Sequence, residues 1–276
     1  MTTATLTPTP TRSAGTSGLS FPRVLRSEWI KLRSLRSTVW SFAIVVAVSA
    51  GLALLISLGI PAAEGTLPAA QQQSIVLEAS LFGVFFGQLV IAVLGVLVIS
   101  GEYTTGMIRS TLTAVPRRLP ALWAKALVLF VSSFVVGVIA STVAFLVASP
   151  ILASKGFHAT LFTGDVIMPI LGSALYLAIV SVFALGLGAI LRASAGGIAA
   201  ALGAVLLLPI VFTIAPLQWM HDWAPYLMMN AGLSSFGLRG FGGASPLDTW
   251  QQVLVVAAWA AVSLAAGAIL LKRRDA

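Results

Sequence analysis

The sequence predicts an all-α integral membrane protein. It has six transmembrane helices, an N-terminal amphipathic interfacial helix and both termini cytoplasmic. Three observations carry this. The chain is 58% hydrophobic and only 9% charged, and a soluble domain of this length needs far more charge on its surface. Its apolar residues fall in continuous runs, each near the roughly 20 residues that cross a bilayer core. Its basic residues cluster beside alternate connections between those runs, as the positive-inside rule requires.

Residues 1–20 are rich in Thr, Ser, Pro and Gly and read as a disordered tail. They lack the apolar core of a signal peptide. Residues 21–36 place Phe21, Val24, Leu25, Trp29, Leu32 and Leu35 on one helical arc, mostly opposite Arg23, Arg26, Lys31 and Arg33. This is the pattern of a helix lying in the membrane interface with its basic face toward anionic headgroups. Glu28 falls inside the apolar arc, where a carboxylate is costly unless paired. Lys31, one turn on, is the expected partner. The helix reads either as a plain surface anchor or as an elbow whose Glu28, Trp29, Lys31 and Arg33 also meet a cytoplasmic partner.

The apolar runs at 38–60, 81–100, 126–148, 166–191, 197–215 and 253–271 are the expected spans of a transmembrane domain over 38–271, with a short cytoplasmic C-terminus at 272–276. The runs do not alternate, which excludes a transmembrane β-barrel. With this layout every basic residue except Lys155 and Arg239 lies on one side, while Glu64, Glu78, Asp165, Asp222 and Asp248 lie on the other. The net charge of +8 is therefore topology, and nucleic acid is not an expected partner. The last outer connection carries Trp219, Trp223, Tyr226, Phe236, Phe241 and Trp250, which suits a membrane–water interface. Within it, 226–238 is too apolar for a free loop. It reads either as a short re-entrant helix shielded by protein or as a loop resting on the headgroups.

Catalytic signatures are missing. There is no cysteine, and His158 and His221 are the only histidines, so neither a thiolate site nor a histidine metal site is expected. No lysine follows a glycine, which excludes the phosphate loop of nucleotide hydrolases. Neither a His-Glu-x-x-His run nor a Gly-x-Ser-x-Gly elbow occurs. The spans carry no ionisable residue at mid-depth, which disfavours a proton- or sodium-coupled carrier. Gln88, the polar exception, either lines a pathway or bonds to a neighbouring helix. Gly83 with Gly87, and Gly186 with Gly188, allow close helix approach, within the chain or at a dimer seam. Pro209 is placed to kink the fifth span.

The polar stretch 99–118 between the second and third spans is the expected working part. Gly101 and Gly106 lie ahead of it and Pro116 behind it. Met107, Ile108 and Leu112 supply apolar knobs, while Glu102 and Arg109 supply opposite charges to set register across an interface. Arg117 and Arg118 also hold the loop inside the cell.

Arg26-Ser-Glu-Trp-Ile-Lys-Leu-Arg-Ser-Leu-Arg-Ser-Thr38 resembles the segment before the first span of actinobacterial type-2 ATP-binding-cassette (ABC) permeases. Ser100-Gly-Glu-Tyr-Thr-Thr-Gly-Met-Ile-Arg-Ser-Thr-Leu112, followed by Pro116-Arg-Arg and Lys125, resembles their coupling region, and Asn230-Ala-Gly their last outer connection. The resemblance covers nearly the whole chain after residue 20. It implies a permease subunit in a bacterial plasma membrane, paired with a second permease copy or paralogue and driven by separate ABC ATPase subunits. ATP and Mg would bind to those subunits and no cofactor to this chain. Export is the implied direction. The implied coupling element comprises Glu102, Tyr103, Thr104, Thr105, Gly106, Met107, Ile108, Arg109, Ser110 and Thr111, with Arg117 and Arg118. The implied cavity lies along the second and fifth spans, where Phe82, Phe85, Phe86, Gln88 and Phe212 are the candidates. Nearly uncharged spans suggest a hydrophobic or amphipathic cargo. A membrane scaffold or signalling component without transport is the alternative.

Overall fold

A computed structural model describes residues 20–63, 65, 67–107, 118–238, 240 and 245–273. The first helix, α1 (Phe21–Ser34), carries Pro22 in its first turn, where a missing N–H costs nothing. It stops at Leu35, whose backbone is extended, and the first span, α2 (Arg36–Gly59), follows at once. The second apolar run belongs to a longer helical stretch: α3 (Ala69–Leu81) and α4 (Gly83–Thr104) meet at Phe82. The third span is α5 (Arg118–Ala153) and the fourth is α6 (Gly164–Leu191). Both run past the expected spans. Among the described residues, six helical stretches are long and apolar enough to cross a membrane.

The fifth span is composite. It begins as α7 (Ser194–Leu202), passes through a π-type turn at Gly203–Leu207, and ends as α8 (Leu208–Ile214) with Pro209 at its start. The wide turn changes the hydrogen-bond register just before the residue that lacks an N–H. Short helices α9 (Gln218–Trp223) and α10 (Met228–Ser234) follow, and α11 (Thr249–Arg273) is the sixth span.

α6 is the most enclosed helix and lies against α4, α5 and α11; α2 packs on α4 and α5. Small residues permit this. A methyl group on Gly83 would sit 2.4 Å from the Ser49 Cα, and one on Gly186 would sit 2.6 Å from the Ser263 backbone. Both glycines thus serve packing within the chain, as Gly188 does against Val96 and Ile99. α10, inside the 226–238 segment, is shielded by protein. Met228 to Leu233 are all buried, Gly232 lies against the Tyr176 ring, and the Asn230 side chain donates to the Ala224 carbonyl at 2.9 Å. At the same end of the bundle, Lys155 donates to the carbonyls of Ser57, Leu58 and Ile60 at 2.8, 2.8 and 2.5 Å. It satisfies the C-terminal carbonyls of α2 and its charge complements the helix dipole.

Candidate functional site

At the opposite end of the bundle, three elements converge on four charged side chains. Val24, Glu28 and Leu32 are buried on α1 at one-turn intervals, so packing the apolar stripe forces Glu28 inward with it. Glu102 sits in the last turn of α4 and Lys125 near the start of α5. The Lys31 ammonium lies 2.8 Å from Glu28 and 3.1 Å from Glu102. The Lys125 ammonium lies 2.6 Å from Glu28 and 2.8 Å from Glu102. Each ammonium therefore touches both carboxylates, and the four charges alternate in a closed ring.

Glu28, Glu102 and Lys125 are 4, 7 and 5% exposed, so none of them keeps its charge comfortably alone. Burial pushes the Glu28 carboxyl up, but Lys125 and then Lys31 more than offset this and hold it below the ordinary carboxylate value. Burial pulls the Lys31 ammonium down, but Glu28 and Glu102 outweigh it and hold it above the ordinary lysine value. Both shifts favour the fully charged ring. Glu102 Oε1 accepts from both ammoniums, whereas its buried Oε2 has no hydrogen-bond partner among the described residues.

The ring holds the two roots of the polar stretch, since the chain leaves α4 just after Glu102 and Lys125 lies in the first turns of α5, which begins at Arg118. A neighbouring contact fixes the ends of other spans. Arg192 closes α6 in a left-handed conformation, φ 55°. Its guanidinium lies 5.2 Å from the centre of the Tyr103 ring and donates to the Leu270 carbonyl at 3.5 Å. The Ser194 hydroxyl donates to the Ser100 hydroxyl at 2.9 Å. Beside the ring lies a cavity of about 400 Å³, walled by Leu32, Leu35, Leu97, Val98 and Val128.

Glu102 thus meets Lys31 and Lys125 within the chain. Thr104 and Thr105 are exposed at the helix end, and their hydroxyls donate back to the Gly101 carbonyl at 3.0 and 2.8 Å. Gly106 turns the chain at φ +71°, and Met107 is exposed. Ile108, Arg109, Ser110, Thr111 and Arg117 lie outside the described residues, as does the Arg118 side chain. On α1, Trp29 is exposed, with the Arg33 guanidinium 5.9 Å from the ring centre.

The proposed cavity residues divide into three places. Phe82, Phe85 and Phe86 form a cluster with ring centres 5.2 to 6.2 Å apart, and Phe82 and Phe86 are exposed. Gln88 is fully buried and accepts a hydrogen bond from the Tyr176 hydroxyl of the fourth span. Phe212 stacks edge-on against Trp219 in a groove of about 590 Å³ between α8 and α11, which Trp223, Tyr226 and Trp259 also line.

Lys125 and Lys155 are the residues whose partners the sequence concealed: Lys125 reads as part of the polar stretch's flank and Lys155 as an exception to the charge asymmetry. For Lys125 a signal existed: it and Glu102 bracket the polar stretch, and a second acid, Glu28, sits where an apolar residue belongs. Among the described residues, no three His, Asp or Glu side chains are grouped to hold a metal.

Six helices of this length and apolarity define a multi-pass membrane protein. The sequence matches the family described as ABC-2 family transporter protein over residues 24–215, and the chain belongs to that family of membrane transport components. The match includes α1 from Val24 onward and the whole four-charge ring. Membership implies partnership with an ABC ATPase subunit. No curated protein matches the sequence.

Proposed function

We propose that this chain is the membrane-spanning subunit of an ABC exporter in a bacterial plasma membrane, with both termini cytoplasmic, α1 in the interface and a second permease copy or paralogue beside it. A separate ATPase binds ATP and Mg and engages the 101–118 stretch. Closure of the ATPase dimer pushes on that stretch, and the push reaches the spans through its two roots. The observation that supports this reading most is the ring of Glu28, Lys31, Glu102 and Lys125, which joins α1 to both roots at separations of 2.6 to 3.1 Å. A loop meant only to connect two spans needs no such anchorage, which takes three buried charges out of water. In this reading Glu28 and Lys125 set the position of the coupling element, while Thr104, Thr105, Met107 and Arg109 present it. The cargo is hydrophobic or amphipathic and meets the Phe82, Phe85, Phe86 face and the Phe212 groove.

The test is purification of the tagged chain from its native cells in mild detergent, with identification of what copurifies. The expected result is a stoichiometric soluble ATPase with a phosphate-loop motif. Met107→Asp, which puts a charge on the exposed knob, is expected to lose the ATPase and leave the permease monodisperse. A preparation free of ATPase, with nucleotide present and after crosslinking, would replace this reading with a non-transporting scaffold.

A further inference from the structure

The groove between α8 and α11 has a volume of about 590 Å³ and five aromatic rings in its wall: Phe212, Trp219, Trp223, Tyr226 and Trp259. The rings hold one another in place. Phe212 meets Trp219 edge-on with ring centres 5.9 Å apart, and Trp223 lies 5.7 Å from Tyr226. The Trp259 indole donates to the Tyr226 carbonyl at 3.0 Å and lies edge-on to Phe183. An interfacial belt explains tryptophans that face the headgroups. It does not explain five rings from α8, α9, α11 and the turn after α9 converging on one groove. The face of each ring carries negative potential, and no charged side chain among the described residues lines the groove. Asp222, exposed, stands one helical turn from Trp219 on α9. Its Oδ1 accepts from the Gln218 amide at 3.1 Å, and no basic group among the described residues pairs with it. Lys155, the one described lysine or arginine at this end of the bundle, is committed to the α2 carbonyls.

We propose that this groove binds a free lipophilic cation whose charge sits on a quaternary nitrogen or phosphorus, and that such a cation is the class of the cargo. Aromatic rings gathered around a space attract a cation of this kind through their faces, and Asp222 adds to the attraction from the flank. A cation with N–H groups would give up water and find few acceptors in exchange, since the Tyr226 carbonyl is already taken by Trp259. A choline headgroup fits less well than a free cation. Its phosphate, close to the ammonium, would meet Asp222 and find no positive side chain in the wall. The aliphatic end of the groove, at Leu208 and Val262, takes the hydrocarbon of the ligand. Binding is a property of this chain alone, whereas the role of the bound cation as cargo rests on the exporter reading.

The test measures binding of radiolabelled tetraphenylphosphonium to the full chain, purified in maltoside detergent without an ATPase. Saturable binding is expected. Tetraphenylborate has nearly the same shape and apolarity with the opposite charge, and is expected to compete at least ten-fold more weakly. Trp219→Leu combined with Trp223→Leu keeps the wall apolar and removes two rings, and is expected to weaken phosphonium binding about ten-fold. Trp219→Phe combined with Trp223→Phe keeps the rings and is expected to restore most of the affinity. Both tryptophans are more than half exposed, so the thermal midpoint is expected to hold in all of these variants. Asp222→Lys, at an exposed position, is expected to weaken phosphonium binding and leave tetraphenylborate no weaker, and it decides the matter if the paired leucines fail to fold. Equal competition by the two ions, or undiminished phosphonium binding in the paired leucine variant, overturns the proposal. Displacement by dihexanoylphosphatidylcholine as strong as by unlabelled phosphonium would assign the groove to a lipid headgroup and overturns it too. With no ATPase in the sample, failure here leaves the copurification result standing. A chain that binds the cation but has no ATPase keeps the site and loses the cargo role, which overturns the second half of the proposal.

Discussion

Glu28 shows how one residue redirects a helix. An amphipathic helix at a membrane surface needs only an apolar face and a basic face, and α1 has both. The carboxylate on the apolar face adds a demand that the helix alone meets only in part, through Lys31 at 2.8 Å. Lys125, 97 positions away, meets the rest at 2.6 Å. Because each acid of the ring touches each base, removing one member strands a buried charge, while removing an acid and a base together leaves a touching pair. Lys125→Met is expected to destabilise the protein by about 3 kcal/mol, the scale of a broken buried ion pair. Glu28→Gln combined with Lys125→Met retains Lys31 against Glu102 at 3.1 Å and is expected to cost less than the single change. Thermal unfolding in nanodiscs measures both, and a double variant less stable than Lys125→Met would show that the ring does not act as a unit. The pH dependence has two edges. The Glu28 carboxyl is held low, so its contribution is present above the ordinary carboxylate value and is lost as pH falls through its own lowered value. The Lys31 ammonium is held high, so its contribution is present below the ordinary lysine value and is lost as pH rises through its own raised value. Protease protection of α1 is therefore expected to be flat across neutral pH and to fail first in strong acid or strong alkali. A midpoint near neutrality would contradict the ring as drawn.

At the scale of elements, the apolar runs were readable because a bilayer imposes one length and one composition. Where the helices end was not. The second span extends back to Ala69 through the glutamines of α3, since backbone hydrogen bonding continues past the apolar stretch. α10 was readable only as a pair of alternatives, because apolarity says that a segment is covered and not by what. The glycines posed a similar choice between a dimer seam and internal packing, and a distance settles it for Gly186. Its missing side chain admits the backbone of Ser263, while nothing lies within 4 Å of the corresponding position at Gly101. Gly186→Ala is expected to destabilise by about 1–3 kcal/mol through overpacking. Gly101→Ala, with open space around it in a helix, is expected to be neutral or stabilising by up to about 1 kcal/mol. The same thermal measurement separates them, and equal effects would mean that α6 and α11 do not approach as described.

At the scale of the molecule, the charge asymmetry seen in the sequence and the two locked ends seen in the structure describe the same division. One end is closed by Lys155 on the last carbonyls of α2 and by the aromatic segment over α11. The other is closed by the charged ring and by Arg192 over Tyr103. Between them the first and fifth spans are the least enclosed and the fourth the most, which leaves the outer faces of α2, α7 and α8 for lipid or for a second copy. The family and the layout were legible because both rest on composition and on short local motifs. The ring was not, because its decisive contacts join residues 71 and 97 positions apart, and separation in sequence hides which charges meet.

The most direct measurement places a photo-crosslinking amino acid at Thr105, exposed beside the ring, and separately at Phe162, 85% exposed at the opposite end. After irradiation of intact cells, the account predicts a covalent adduct between Thr105 and a soluble ATPase, and none from Phe162. An adduct from Phe162 in place of Thr105 would reverse the orientation. No ATPase adduct from either position, with the protein present at its normal level, would contradict coupling through this end of the chain.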